Sequence, residues 1–113
     1  MRLPEISPAD VLYDDPVLID ARKAPARAVS GRTVAQARIV DPLSFGHAEA
    51  KALLVETGQD RPIVVFCVHG HEVSQFVTAL LLVHGGKARY VTGGIEAPAK
   101  SGPEALRFEE TRT

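Results

Sequence analysis

Two short segments, residues 17–21 and 63–67, are almost continuously apolar and contain several β-branched side chains, without the alternation of a half-exposed strand. Such runs are typical of strands buried on both faces, which occur in parallel sheets covered by helices. Helical patterns lie before, between and after the two segments, so strands alternate with helices along the chain. The sequence therefore predicts an α/β fold with a central parallel sheet flanked by helices on both faces.

The remaining elements follow from capping residues and apolar spacing. We expect helices after Ser7, over about 44–57 with Ser44 as the cap, and over about 72–84, and short strands near 37–40 and 88–91. Residues 22–38 lack a clear pattern and predict a long connection. The predicted organisation is one domain over residues 1–100, followed by a polar and loose tail over residues 101–113.

Composition excludes several classes of protein. The 113 residues suffice for one domain, and 13 basic against 14 acidic residues give a net charge of −1, which argues against a nucleic-acid partner. A single cysteine precludes an internal disulfide and fits a reducing cytoplasm. No apolar run is long enough to span a membrane, and no signal-peptide pattern opens the sequence. We expect a cytoplasmic protein without a membrane or nucleic-acid partner.

Cys67 is the strongest candidate for a catalytic residue in the sequence. It ends the strongest predicted strand, and a helix begins about five residues later, so it lies at the carboxyl edge of the sheet, where open α/β folds bind ligands. A tight turn containing Gly70, followed by a helix N-terminus, directs backbone N–H groups inward and favours a thiolate. His69 and His71 add positive charge when protonated. The pattern indicates a nucleophilic cysteine beside an anion-binding loop.

Three other interpretations stay open at this point. A lone cysteine at the end of a core strand is often only a small buried hydrophobe. Cys67, His69 and His71 form a Cys-x-His-x-His set, but further metal ligands are not evident, so we expect no metal. Asp20 and Arg22, at the end of the other strong strand, are either catalytic or a buried structural pair, and we favour the pair.

The loop resembles the active-site loop of rhodanese-like sulfurtransferases, a family whose catalytic cysteine is followed by glycine at the fourth of six loop positions. The matching residues are Cys67, Val68, His69, Gly70, His71 and Glu72. Two further blocks resemble the family, one around Asp20 and Arg22 and one around Gly93 and Gly94. Residues 67–74 also resemble a subgroup seen in chromate-resistance-associated rhodanese domains.

The resemblance implies a parallel sheet of five strands and an enzyme that needs no cofactor. Cys67 would take a sulfane sulfur from thiosulfate or a persulfide, hold it as a persulfide on the loop, and pass it to a thiol or cyanide-type acceptor, or to a protein acceptor. We expect Asp20, Arg22, Gly93 and Gly94 to have supporting roles. Gly93 and Gly94 form either only a turn or, because they follow a strand, a border of the cysteine pocket. The resemblance therefore implies that the protein is a thiosulfate sulfurtransferase.

Departures from the family pattern leave alternatives open. Glu72 stands where many active members have arginine, and its carboxylate would repel the thiosulfate dianion. Pro98 stands where the double-glycine block usually ends in tryptophan, and residues 31–37 keep only the ends of another block. A non-catalytic or weakly catalytic persulfide carrier or redox sensor that acts through protein contacts is therefore a competing function. A phosphatase or arsenate-reductase relative fits less well, because such enzymes need a longer loop and an arginine.

Overall fold

The computed structural model of the chain describes residues 3–7, 15–30, 32–34, 36–67, 72–92 and 108–110. In chain order, the elements are β1 (Glu5–Ile6), β2 (Val17–Asp20), α1 (Ala24–Ser30), β3 (Arg32–Val34), β4 (Arg38–Ile39), α2 (His47–Thr57), β5 (Pro62–Phe66), α3 (Glu72–Val83), β6 (Lys87–Val91) and β7 (Phe108–Glu110). Five strands form a parallel sheet in the order β1-β6-β5-β2-β4. The predicted α/β class and five-stranded parallel sheet are confirmed.

The two strongest apolar segments are adjacent at the centre of the sheet. β2 pairs with β5 from Val17 opposite Ile63 to Asp20 opposite Phe66, and β6 covers the other edge of β5. Their lack of alternation has a simple reason, since both faces of β5 are buried. Strands whose faces are both covered have no position that favours a polar side chain.

Helices α2 and α3 pack on one face of the sheet. Ile63 and Val65 point to this face, where their neighbours from the helices include Leu54 and Leu81. The opposite face buries a second cluster, which consists of Ile6, Leu18, Val64, Phe66 and Val91. The helix expected after Ser7 falls on residues 8–14, which lie outside the described part of the chain.

Four local expectations need correction. Residues 22–38 are not one irregular connection, because they contain α1 and β3. The two-residue β1, too short to give a pattern, pairs with β6. The cap of α2 is Gly46 rather than Ser44, and its N–H donates to Glu49 Oε1 at 2.8 Å. Finally, β7 pairs with β3, so the expected tail is not loose at residues 108–110.

None of the helices in the described ranges is long and apolar enough to cross a membrane.

Candidate functional site

Cys67 is the first residue after β5, at the carboxyl end of the central strand. Side chains alternate along a strand, so Cys67 follows Ile63 and Val65 onto the face that α3 covers. The Ala21 N–H donates to the Phe66 carbonyl at 2.9 Å, which holds the end of β5 against β2 up to the residue before the cysteine. Cys67 is a free thiol and is only 6% exposed. The sheet thus presents one nearly buried sulfur at its carboxyl edge.

Ser74, in the first turns of α3, contacts this sulfur directly. The thiol of Cys67 donates to the Ser74 hydroxyl oxygen, with Sγ and Oγ 3.2 Å apart. Ser74 is fully buried, so its hydroxyl is shielded from bulk water. A hydroxyl both accepts and donates, and on deprotonation of the thiol it can turn its own hydrogen toward the thiolate. The contact therefore suits either protonation state of the sulfur.

Ser74 lies outside the stripe that apolar spacing predicts to be buried along α3. That stripe consists of Val73, Phe76, Val77, Leu80 and Leu81. The buried positions are instead Ser74, Val77, Thr78 and Leu81, while Phe76 is 49% exposed. The face of α3 that packs on the sheet thus includes two small polar residues, Ser74 and Thr78. One signal was present in the sequence: Ser74 and Thr78 are spaced i, i+4 and flank Val77, as residues of one helix face do.

The loop residues predicted to surround the sulfur are only partly described. Glu72 is the first residue of α3 and is exposed, so its carboxylate is solvated at the helix N-terminus. Val68, His69, Gly70 and His71 lie outside the described residues, as do Gly93 and Gly94. The nest of backbone N–H groups around Cys67 accordingly stays a prediction.

Asp20 and Arg22 form a buried ion pair. Arg22 Nη2 lies 2.8 Å from Asp20 Oδ2, and the side chains are 0% and 1% exposed. Asp20 follows Leu18 by two residues on β2 and therefore points to the face opposite the one on which Cys67 lies. The structure brings these two residues together beside the end of β5, but it does not bring the Asp20 carboxylate to the sulfur.

In the part of the chain that the structure describes, no three His, Cys, Asp or Glu side chains are grouped so as to hold a metal ion.

Several solved structures are similar to that of this chain. A rhodanese-related protein from Thermoplasma volcanium has a similar structure, with a TM-score of 0.66 and 20% identity over 88% of this chain and 93% of that one. A protein from Helicobacter pylori gives a TM-score of 0.70 and 16% identity, covering 94% and 88%. An As-Sb reductase from Leishmania major gives 0.68 and 16%, covering 93% and 85%.

At these identities the structures establish a shared fold. No curated protein sequence matches the chain. The family model of the rhodanese-like domain, however, matches residues 9–100, which include β2, β5, Cys67 and all of α3. This match spans most of the sequence and takes in each predicted site residue. The chain therefore belongs to the rhodanese-like domain family.

Proposed function

We propose that the protein is a sulfurtransferase that carries sulfane sulfur as a persulfide on Cys67. In the first half-reaction, the thiolate attacks the outer sulfur of a donor such as thiosulfate. An S–S bond forms to Cys67 Sγ, the donor's own S–S bond breaks, and sulfite leaves with the bonding electron pair. In the second, a thiol or cyanide attacks the outer sulfur, and the thiolate is regenerated.

The observation that carries this proposal is the position of Sγ. It lies at the carboxyl edge of the central strand, almost buried, with the fully buried Ser74 hydroxyl 3.2 Å away. A nucleophilic sulfur in such a site is largely shielded from bulk solvent, and a donor reaches it at the carboxyl edge of the sheet. A fixed hydroxyl beside the anion stabilises charge there without rearrangement of solvent. Both features suit a cysteine thiolate that repeatedly accepts and releases one sulfur atom.

Glu72 favours a second candidate, a persulfide carrier that receives sulfur from a protein rather than from thiosulfate. Its exposed carboxylate adds negative charge at the start of the helix that contacts the sulfur through Ser74. A dianionic donor is repelled there more strongly than a neutral or monoanionic persulfide. The two candidates share the persulfide on Cys67 and differ in the donor.

The test measures thiocyanate formed from thiosulfate and cyanide, in parallel with intact mass after loading from a small-molecule persulfide. Sulfurtransfer predicts turnover in the wild type and none in Cys67→Ser. The carrier predicts no turnover but a gain of one sulfur atom, absent from Cys67→Ser. Cys67 is the only cysteine in the chain, so the mass assigns the site without digestion. No sulfur gain from either donor would overturn both candidates, and arsenate reduction dependent on Cys67 would favour reductase chemistry instead.

A further inference from the structure

Two histidines that are distant in the sequence meet on the surface of the protein. His47 is the first residue of α2, and His84 directly follows α3. Nδ1 of His47 lies 2.7 Å from Nε2 of His84, the ring centroids are 5.0 Å apart, and the ring planes cross at 83°. His84 comes ten residues after Ser74, most of them helical, which places it about 15 Å along α3 from the sulfur contact. Sulfur transfer on Cys67 makes no use of this pair.

We propose that His47 and His84 form a binding site for a borderline divalent transition-metal ion of the class of Zn²⁺, Ni²⁺ and Cu²⁺. Neutral imidazole nitrogen is a preferred ligand of these ions. Two nitrogens that share such an ion at about 2.1 Å are about 3.0 to 3.4 Å apart, depending on the coordination geometry. From their present separation of 2.7 Å, the two nitrogens need to part by less than about 1 Å.

Metal binding at this pair requires a change of tautomer. In the hydrogen bond between the rings, one facing nitrogen carries a proton and the other offers its lone pair. With a metal ion between them, both facing nitrogens offer lone pairs, and each ring carries its proton on its other nitrogen. The donor ring moves its proton to that nitrogen through solvent, so a neutral pair releases no proton overall.

The backbone of each histidine is held in place. Gln59 Nε2 donates to the His84 carbonyl at 2.9 Å, and the His84 N–H donates to the Leu80 carbonyl. On the other side, the Gly46–Glu49 hydrogen bond fixes the start of α2, where His47 lies. Only side-chain torsions have to adjust when an ion enters. Ligands held in this way lose little conformational entropy on binding.

The charges around the pair set the strength of binding. Lys51 lies in the same open groove as His84, and its ammonium opposes a bound cation. Among the described residues, no third His, Cys, Asp or Glu joins the pair, so water would complete the coordination shell.

The experiment titrates Ni²⁺ into the full-length chain without a histidine tag, by calorimetry at pH 7.5, in a Cys67→Ser background that removes the competing thiol. We expect one ion per chain. His47→Gln and His84→Gln should each weaken binding by about tenfold or more, because one imidazole loses the chelate partner. Lys51→Gln should strengthen binding, and His71→Asn, which removes a different imidazole, should leave it unchanged.

Three results would overturn the proposal. The first is the absence of saturable binding, and the second is equal affinity in the Cys67→Ser parent and in its His47→Gln variant. The third is loss of binding in His71→Asn, which would assign the ion to the loop after Cys67. Imidazole nitrogen NMR of the chain with native His47 and His84, recorded with diamagnetic Zn²⁺, gives a readout that does not depend on folding of a variant. Resonances of His47 Nδ1 and His84 Nε2 should shift together with one binding curve.

Discussion

Arg22 binds both carboxylate oxygens of Asp20, two residues before it in the chain. The guanidinium Nε lies 3.0 Å from Oδ1 and Nη2 lies 2.8 Å from Oδ2, while the Arg22 backbone N–H also donates to Oδ1 at 3.0 Å. Arg27 Nη1 then donates to the Arg22 carbonyl at 2.8 Å, which ties the start of α1 to the same turn. The end of β2, beside the end of β5, is thus closed by charged groups that have almost no contact with water.

Removal of one member of this pair should be more harmful than removal of both. Asp20→Asn leaves the Arg22 guanidinium buried without its counter-charge, and we expect a loss of about 3 to 5 kcal/mol in the free energy of unfolding. The double variant Asp20→Leu/Arg22→Met replaces two desolvated charges by apolar groups and should lie closer to wild type. Urea unfolding followed by circular dichroism measures both, and a single variant that loses less than the double one contradicts this account.

Ser74→Ala should slow the loading of sulfur onto Cys67 without unfolding the protein. A hydrogen bond to a charged partner contributes about 1.5 kcal/mol or more, so we expect the single-turnover rate with a persulfide donor to fall by about tenfold. Stopped-flow loading followed by intact mass gives this rate.

Thr78→Val is the matched control for Ser74→Ala. Thr78 lies one turn further on the same buried face of α3, and its Oγ1 has no hydrogen-bond partner among the described residues. Replacement of that hydroxyl by a methyl group should leave the loading rate unchanged and the stability equal or higher. Equal rates in Ser74→Ala and wild type would remove the hydroxyl from the mechanism.

Charge at Glu72 should govern the use of thiosulfate. Because the carboxylate is exposed, we expect a modest effect, with KM for thiosulfate falling several-fold in Glu72→Gln and further in Glu72→Arg. Initial rates at low and high salt test the cause, since screening should reduce the differences between variants. A KM in Glu72→Arg equal to that of wild type would exclude electrostatic repulsion as the reason for weak binding of the donor.

Gly86 and Gly58 should respond differently to substitution by alanine. A Cβ on Gly86 would lie 2.7 Å from Leu54 Cδ2 and 3.0 Å from the Leu81 carbonyl oxygen, so Gly86→Ala should lower the free energy of unfolding by about 1 to 3 kcal/mol through overpacking. Gly58 has φ +94° and ψ +129° with open space around it, so Gly58→Ala should cost about 1 to 3 kcal/mol through backbone strain alone. Chemical denaturation measures both variants, and an unchanged stability in Gly86→Ala would be inconsistent with the packing of Leu54 against Gly86.

Stability should depend on the protonation of His84. Its pKa is lowered in the folded protein, by desolvation first and then by His47 and Lys51, so near the ordinary value of about 6.5 the unfolded chain binds more protons. The free energy of unfolding should therefore fall as the pH drops through and below about 6.5. Urea unfolding between pH 5 and 8 with a metal chelator present should show a weaker decline in His84→Gln than in wild type. An identical pH dependence in both proteins would contradict this assignment.

Pattern and periodicity predict the centre of this fold well and its periphery poorly. β2, β5 and α3 carry strong signals because burial on both faces, or a regular apolar spacing, constrains several consecutive residues. β4 lies within the short strand expected near residues 37–40. β1, in contrast, has two residues, too few to form a pattern, and exists because β6 offers hydrogen-bond partners. The same holds for β3 and β7, whose pairing joins segments more than 70 residues apart.

The position of Cys67 at the carboxyl end of a buried strand was predictable from the sequence, whereas the contacts of its sulfur were not. The end of a buried strand before a tight turn marks Cys67 from sequence alone, and the Asp20–Arg22 spacing indicates their pairing. The contact with Ser74 depends on how α3 is rotated about its axis, which an apolar stripe defines only to within about one residue. Likewise, the approach of His47 to His84 depends on how α2 crosses α3, and no local pattern encodes that crossing.

The place of β5 between β6 and β2 has a consequence for the accessibility of the Cys67 sulfur. Backbone amides of an interior strand exchange with solvent mainly when the whole domain unfolds, whereas strands at the edge of a sheet can fray separately. Because Cys67 is only 6% exposed, a bulky thiol reagent should react with it mainly after such global unfolding. The rate at which this reagent labels Cys67 in dilute denaturant would then report the population of the globally unfolded chain. The single cysteine would thus be a natural probe of unfolding.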